Sequence, residues 1–289
     1  QDQILFFQQG TLPCFSMDGK LMLQEKNLIA TAPNGNGGVY QALAKYGMLD
    51  HMKERGIKYI HSYCVDNILV KVGDPKFVGH CVKNCVDFGT KVVPKREPHE
   101  KVGVFALRNG KYHVVEYSEI TKEMAESVDQ TTGQLSFNAG NIVNFFYTLD
   151  FLEKCAQILN THKLYHIAKK DIESIDINSG EKKKQAGVKL ELFNFDIVEF
   201  ANSITIFQVE RESEFSPLKN APNQNNSDSP ETCRKDVSVL HTKYLERAGA
   251  NIIGDCKKEL CEISPLVSFA GENLENYKGK SITLPFHLQ

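Results

Sequence analysis

No apolar run in this 289-residue chain approaches the roughly 20 residues that a bilayer-spanning helix needs. No signal-peptide pattern opens it. Positive charge is not in excess: 34 Lys and Arg stand against 36 Asp and Glu, a net charge of −2. That excludes the broad basic field expected of a nucleic-acid or anionic-membrane binder, so any anion must be held by a local site. Zinc spacings are also missing. The eight cysteines, Cys14, Cys64, Cys81, Cys85, Cys155, Cys233, Cys256 and Cys261, are scattered. Cys81 and Cys85 have the spacing of one helix face, and Cys256 and Cys261 lack a matching pair or nearby histidines. Reduced, mostly buried thiols are expected, as in a cytosolic protein. No internal repeat is present. What remains is ordinary globular composition, 41% hydrophobic and 24% charged, long enough for one large domain or a domain and a half.

The chain begins at Gln1, without an initiator Met, and enters at once on "ILFF"; residues upstream are expected to be missing. Residues 4–7 read as a short buried strand. "SMDGKLML" offers a hairpin turning at Asp18-Gly19. Apolar residues at Val39, Leu43, Tyr46, Leu49 and Met52 predict one helix over 37–55, closed by Gly56. Residues 57–65 read as a strand ending at Asp66-Asn67. "DPKFVGHCVKNCVDFG" predicts a helix with Pro75 in its first turn and Gly89 past its end, followed by the strand "KVVP". This alternation implies an α/β sheet with parallel strands. Asn109-Gly110 between two β-rich runs is a strong hairpin signal. "LSFNAGNIVNFFYTLDFLEKCAQIL" reads as a strand, a Gly-containing turn and a helix. Lys182, Lys183 and Lys184 read as part of a solvated loop. "ELFNFDIVEFANS" alternates and then turns helical, ahead of the strand "ITIFQVER". "KNAPNQNNSDSPE" reads as loop or linker. The last ~60 residues read as short apolar runs of a small β-containing terminal domain.

In open α/β sheets ligands sit beyond the C-terminal ends of strands. Four segments fall there. Gln9 offers an amide for the edge of a base. The loop "APNGNGG" precedes a helix, where glycines permit close approach and N–H groups favour acceptors. Asp66 ends a strand, and a carboxylate there can hold Mg²⁺ beside a phosphate. Lys219, after a Ser-Pro turn, can pair with a phosphate. Each has a plainer reading as a turn, a cap or a solvated cation. Glu116, inside "VVEYSEI", needs a partner or an edge position. Phe193 and Phe195 read most simply as one face of a strand in the core. His61 and Cys64 do not read as a nucleophile pair, because their side chains diverge along one strand.

Taken in order, "FFQQGTLP", "APNGNGGVY", "YCVDNILVKV", "VVEYSEI", "FNAGNI", "FDI..FA", "R..EFSPLKNA" and "CEISPLVSFAGE" resemble the eukaryotic UDP-N-acetylglucosamine pyrophosphorylases. The likeness runs from residue 4 to 219 and resumes over 261–272; looser patterns occur in UDP-sugar and UDP-glucose pyrophosphorylases. The resemblance implies an α/β fold, a Rossmann-like nucleotide-diphospho-sugar transferase sheet over residues 1–219, with a linker and small C-terminal domain over 220–289. It implies a cytoplasmic uridylyltransferase that joins UTP and N-acetylglucosamine 1-phosphate with Mg²⁺ or Mn²⁺, and no nucleic-acid or membrane partner. Carried over by motif, Gln9, Gly35, Asn36 and Gly37 hold uridine, the glycines admitting the nucleotide where a Cβ would clash. Asp66 lies at the metal and phosphates, and Lys219 reaches the diphosphate. Gly103, Glu116 and Asn141 line the sugar pocket, and Phe193 and Phe195 wall the N-acetyl side. The sugar phosphate is itself the nucleophile, so catalysis is positioning and charge neutralisation.

One family feature is absent: a Gly-rich "GGxGTR" loop, upstream of the Gln motif, that cradles the UTP phosphates. The chain is therefore expected to be an N-terminally truncated member, weakly active or inactive by itself. Two alternatives stand beside that reading: a non-catalytic UDP-sugar-binding fragment, and a pyrophosphorylase for another sugar such as N-acetylgalactosamine 1-phosphate.

Overall fold

The computed structural model describes residues 3–162, 164–176, 179–223 and 227–289. Its centre is a six-stranded sheet in the order Ile204–Gln208, Phe88–Pro94, Ala139–Thr148, Val104–Arg108, Lys111–Val115, with Tyr59–Tyr63 paired to Ala139–Thr148 beside Val104–Arg108. The class is α/β as expected, but the parallel expectation fails. Ile204–Gln208 runs parallel to Phe88–Pro94, and the other pairings of this sheet are antiparallel. Alternating helices and strands do not by themselves dictate which neighbour a strand joins. The central strand also breaks register: Asn141 faces Val92, yet Phe145 faces Thr90. Val143 takes up the bulge at φ 51°.

Local chemistry sets several boundaries. Asp74 caps the helix Pro75–Lys83 by accepting from Lys76 N–H at 3.0 Å, with Pro75 in the first turn. That helix stops at Asn84, and Gly89 lies inside the next strand rather than past a helix end. Cys85 therefore stands exposed beyond the helix, not on one face with buried Cys81. The helix expected over 37–55 is two, Gly38–Lys45 and Met48–Glu54, because Gly47 adopts a left-handed conformation between them. The Asn109-Gly110 turn forms as expected, both residues at positive φ, and so does the turn at Asp18-Gly19.

Three segments depart further. Residues 4–7 form no strand; they lie exposed, Phe6 at 93%, with no strand paired to them among the described residues. "FNAGN" is not a turn, since Gly140 and Asn141 belong to the central strand, which runs directly into the helix Leu149–Thr161 capped by Thr148. Lys182, Lys183 and Lys184 are solvated, but in a strand: Tyr165–Ile175 and Lys182–Leu192 pair along their whole length as a hairpin extended by Phe15–Ser16.

The helices Gly38–Lys45 and Leu149–Thr161 bury Tyr40, Leu43, Phe151 and Leu152 against Phe88, Phe145 and Tyr147 of the sheet. A second cluster joins Leu69 to Leu240, Tyr244, Leu245, Ile263 and Ile282. It is built on the helix Pro230–Arg247 and two short parallel strand pairs, Asn251–Ile253 with Ser281–Thr283 and Cys261–Ile263 with Phe286–Leu288. The expected β-pairing is present, and the 18-residue helix is an addition to it. Residues 224–226 of the expected linker lie outside the described residues. Among the described residues, no helix is long and apolar enough to cross a membrane.

Candidate functional site

The pairing directions bring one set of strand ends to one edge of the sheet. Tyr59–Tyr63 and Phe88–Pro94 both run antiparallel to Ala139–Thr148, and Ile204–Gln208 runs parallel to Phe88–Pro94. The C-terminal ends of these three strands therefore meet the N-terminal end of the central strand. Asp66 and Asn141 share that edge, and the chain leaving Gln208 reaches it as well.

Gly103, Glu116 and Asn141 come together. Gly103 C=O accepts from Asn141 N–H at 2.8 Å. A Cβ at Gly103 would lie 2.8 Å from Glu116 Oε1, so the glycine is the space the carboxylate occupies. Glu116 follows the end of Lys111–Val115, the outermost strand on that side, which is the edge position its charge required. Burial and the neighbouring Glu119 raise its pKa, opposed by the charges of His166 and Lys219.

Asp66 and Lys219 are brought into register by a short backbone ladder. Leu218 N–H donates to Asp66 C=O at 2.8 Å, Ile68 N–H donates to Ser216 C=O at 3.1 Å, and Asn67 faces Pro217. Buried Asn67 locks the pairing: its amide donates to Glu214 C=O at 2.8 Å, and its Oδ1 accepts from Ser216 N–H at 2.9 Å. Beneath it lies Lys91, fully buried between Asp74 Oδ2 at 2.6 Å and Glu214 Oε2 at 2.5 Å. That ion triad ties the end of the Asp66 loop to the start of the Lys219 segment.

His61 accepts from Gly73 N–H at Nδ1 (3.0 Å), which leaves Nε2 as the donor to Asn144 Oδ1 at 2.6 Å. Both nitrogens are committed. Burial pushes the Cys64 thiol up to about 11. No nucleophile pair exists there, as expected.

The glycine loop corrects the expected reason for its composition. Gly35 sits at φ 85°, and a Cβ on it would meet the backbone of Leu192, its N at 2.7 Å. One on Gly37 would lie 2.8 Å from the Phe193 carbonyl. The close approach is made by the protein's own chain. Gly37 N–H donates to Leu192 C=O at 2.9 Å, Leu192 N–H donates to Asn34 C=O at 2.8 Å, and Asn36 Oδ1 accepts from Asn194 N–H at 2.9 Å. Gln9 joins by donating to Gly35 C=O at 2.6 Å.

This docking fixes the turn that carries Phe193 and Phe195. They are not one face of a strand: the strand ends at Leu192, and their rings touch at 5.1 Å between centroids. Phe195 is buried in the main core and backs the half-buried Phe193. Tyr40 Oη donates to Asn194 C=O at 2.5 Å and accepts from Tyr147 Oη at 2.8 Å, securing the turn from below.

Sequence reasoning missed His166 and Asp196, which stand beside Phe193, and Glu119, which faces His166. His166 Nε2 lies 2.9 Å from Asp196 Oδ2, and Nδ1 lies 3.6 Å from Glu119 Oε1. The imidazole packs on Phe193 at 4.3 Å. Hydrogen bonding to Asp196 raises its pKa. An isolated His with an Asp thirty positions on gives no local signal; only the turn geometry joins them.

Among the described residues, no group of three or more His, Cys, Asp or Glu could hold a metal ion unaided. Asp66 is half-buried, and its carboxylate has no partner among the described residues. One open carboxylate suits an ion that brings the rest of its shell with a phosphate.

The model of the UTP–glucose-1-phosphate uridylyltransferase family matches residues 1–280. The chain is 43% identical to the UDP-N-acetylglucosamine pyrophosphorylase of Saccharomyces cerevisiae, over 97% of this chain and 59% of that protein. It is 45% identical to UDP-N-acetylglucosamine diphosphorylase 2 of Arabidopsis thaliana, over 95% and 54%. The crystal structure of the Trypanosoma brucei uridine diphosphate N-acetylglucosamine pyrophosphorylase in complex with inhibitor superposes with a TM-score of 0.84 at 33% identity, covering 96% of this chain and 58% of that one. The chain thus spans less than two thirds of the length of these relatives.

Proposed function

Because this chain belongs to the UTP–glucose-1-phosphate uridylyltransferase family, we propose that the protein is a uridylyltransferase making UDP-N-acetylglucosamine and pyrophosphate from UTP and N-acetylglucosamine 1-phosphate. The observation that carries this reading is the gathering of Asp66, Lys219, Glu116, Gly103 and Asn141 at one sheet edge. Lys219 lies close enough for its charge to act on both Glu116 and Cys64. Residues 1–219 supply the catalytic domain, residues 220–289 the linker and terminal domain, and the protein works in the cytoplasm.

In the proposed reaction a phosphate oxygen of the sugar phosphate attacks the α-phosphorus of UTP in line. The new P–O bond forms as the bond to pyrophosphate breaks, so no enzyme nucleophile is needed. Lys219 would neutralise charge on the diphosphate. Glu116 would accept from sugar hydroxyls, with Asn141 and Gly103 closing the pocket around it. Phe193, backed by Phe195, would meet the N-acetyl methyl. Gln9 and the 35–37 loop would receive uridine. Asp66 would hold Mg²⁺ or Mn²⁺, which supplies positive charge to the phosphates when bound.

Pyrophosphate release from UTP and N-acetylglucosamine 1-phosphate with Mg²⁺ tests this, beside Asp66→Ala. Calorimetric binding of UDP-N-acetylglucosamine accompanies it. Turnover lost in the variant supports the assignment. Binding without turnover assigns this chain the sugar end alone. Neither binding nor turnover overturns the reading.

A further inference from the structure

At the proposed sugar end two carboxylates, Asp196 and Glu119, converge on one imidazole. Glu116 is within electrostatic reach of Glu119 and Asp196, and both raise its pKa. The imidazole is that of His166, each ring nitrogen directed at a carboxylate oxygen, Asp196 Oδ2 at 2.9 Å and Glu119 Oε1 at 3.6 Å. A neutral imidazole would turn a lone pair toward one of these anions; the doubly protonated ring answers both. The same ring lies against Phe193, while Asp196 Oδ2 also accepts from Phe193 N–H at 3.3 Å. His166 and Asp196 together therefore hold Phe193 by its ring and its backbone.

We propose that His166 is a positioning residue for the sugar: as a cation held between Asp196 and Glu119 it steadies the Phe193 wall. This inference rests on the uridylyltransferase reading and deepens it. The other charged and titratable groups facing this cluster are Lys219, which acts on Glu116, and Tyr112, His113, Tyr165 and Glu199, which with His166 and Asp196 line a cavity of about 260 Å³. None of them comes within ion-pair distance of His166 among the described residues. A purely structural pin for the 193–196 turn makes a different prediction, because that turn also anchors the 35–37 loop: its loss would weaken uridine and sugar recognition alike.

Calorimetric titration with UDP-N-acetylglucosamine and with UDP, at about pH 6 and about pH 9, separates the two. Wild-type protein should bind the sugar nucleotide several-fold more weakly at the higher pH, where the imidazole is neutral and the Phe193 wall loses its support; UDP, whose terminal phosphate titrates in this range, is compared between wild type and variant at one pH. His166→Gln should weaken sugar-nucleotide binding about tenfold at the lower pH and remove the difference between the two. UDP binding should stay within about twofold. Glu119→Gln, at a half-exposed side chain that folding tolerates, should weaken the sugar nucleotide by only about two- to threefold. Equal losses for UDP and the sugar nucleotide, or a pH response that survives in His166→Gln, would overturn the inference. Wild-type protein that binds neither ligand would overturn the uridylyltransferase reading and this inference with it.

Discussion

At the end of the site proposed to hold the sugar, His166, Asp196, Asn141 and Gly103 are answered by one another's elements or by nearby backbone. At the phosphate end, the Asp66 carboxylate and the Lys219 ammonium make no ion pair or side-chain hydrogen bond among the described residues. Yet their backbones are registered residue by residue and rest on the buried Lys91 triad. The contrast follows from what each end is proposed to hold. A neutral sugar is recognised by shape and a few directed acceptors, which must be rigid beforehand. A triphosphate and its metal bring their own charge, so the protein fixes the frame and leaves the charges open.

The largest way to break that contrast is Lys91→Ala. It leaves Asp74 buried without its cation and Glu214 with Lys71 alone, and about 3–5 kcal/mol of stability should be lost in urea unfolding. A loss under about 1 kcal/mol would show that the triad does not hold the phosphate end. Gly35→Ala forces a Cβ onto the Leu192 backbone at an unfavourable φ and should cost about 2–4 kcal/mol in the same assay. Both Gln9 and Phe193 depend on that contact, so uridine and sugar binding should fall together.

Glu116→Gln sharpens the contrast. It should weaken UDP-N-acetylglucosamine binding about tenfold, with UDP unaffected. In wild-type protein that binding should also fade at acid pH, as Glu116 takes up a proton above the ordinary 4.5. The smallest effect has the opposite sign. A carboxyl whose folded pKa is raised favours the fold below its unfolded pKa, and that contribution is lost as pH rises through the folded value. At neutral pH the ionised Glu116 therefore disfavours the fold, and Glu116→Gln should raise the urea midpoint slightly. A lowered midpoint would mean that Glu116 is better satisfied than its burial implies.

What the sequence made legible was local. The Asn109-Gly110 turn and the Asp74-Pro75 helix start depend on neighbouring residues and appear where expected. The helix Pro230–Arg247 escaped because a third of its buried residues are polar, Ser238 and Thr242 beside Cys233, Leu240, Tyr244 and Leu245, so no clean apolar rhythm marks it; the Ser229-Pro230 cap was the available cue. Residues 4–7 misled because apolar composition says nothing of a partner strand. Composition singled out the glycine loop, but its partner is the Leu192–Asn194 backbone, far along the chain. The family motifs named Glu116 and Phe193. Nothing local could name His166, whose role arises only once the turn carrying Asp196 folds beneath it.

The bulge in the central strand has a consequence for length variation. Between Asn141 and Phe145 that strand advances four residues while its partner, from Val92 to Thr90, advances two. Because facing repeats every two residues, the surplus draws Asn141 back by about 7 Å without turning it over. Removing one residue from 142–144 would turn Asn141 to the other face of the strand. Removing two would restore its facing but shift it along the strand by about 7 Å. Depth and orientation of the same side chain can thus be changed one at a time, by counting residues rather than by choosing them.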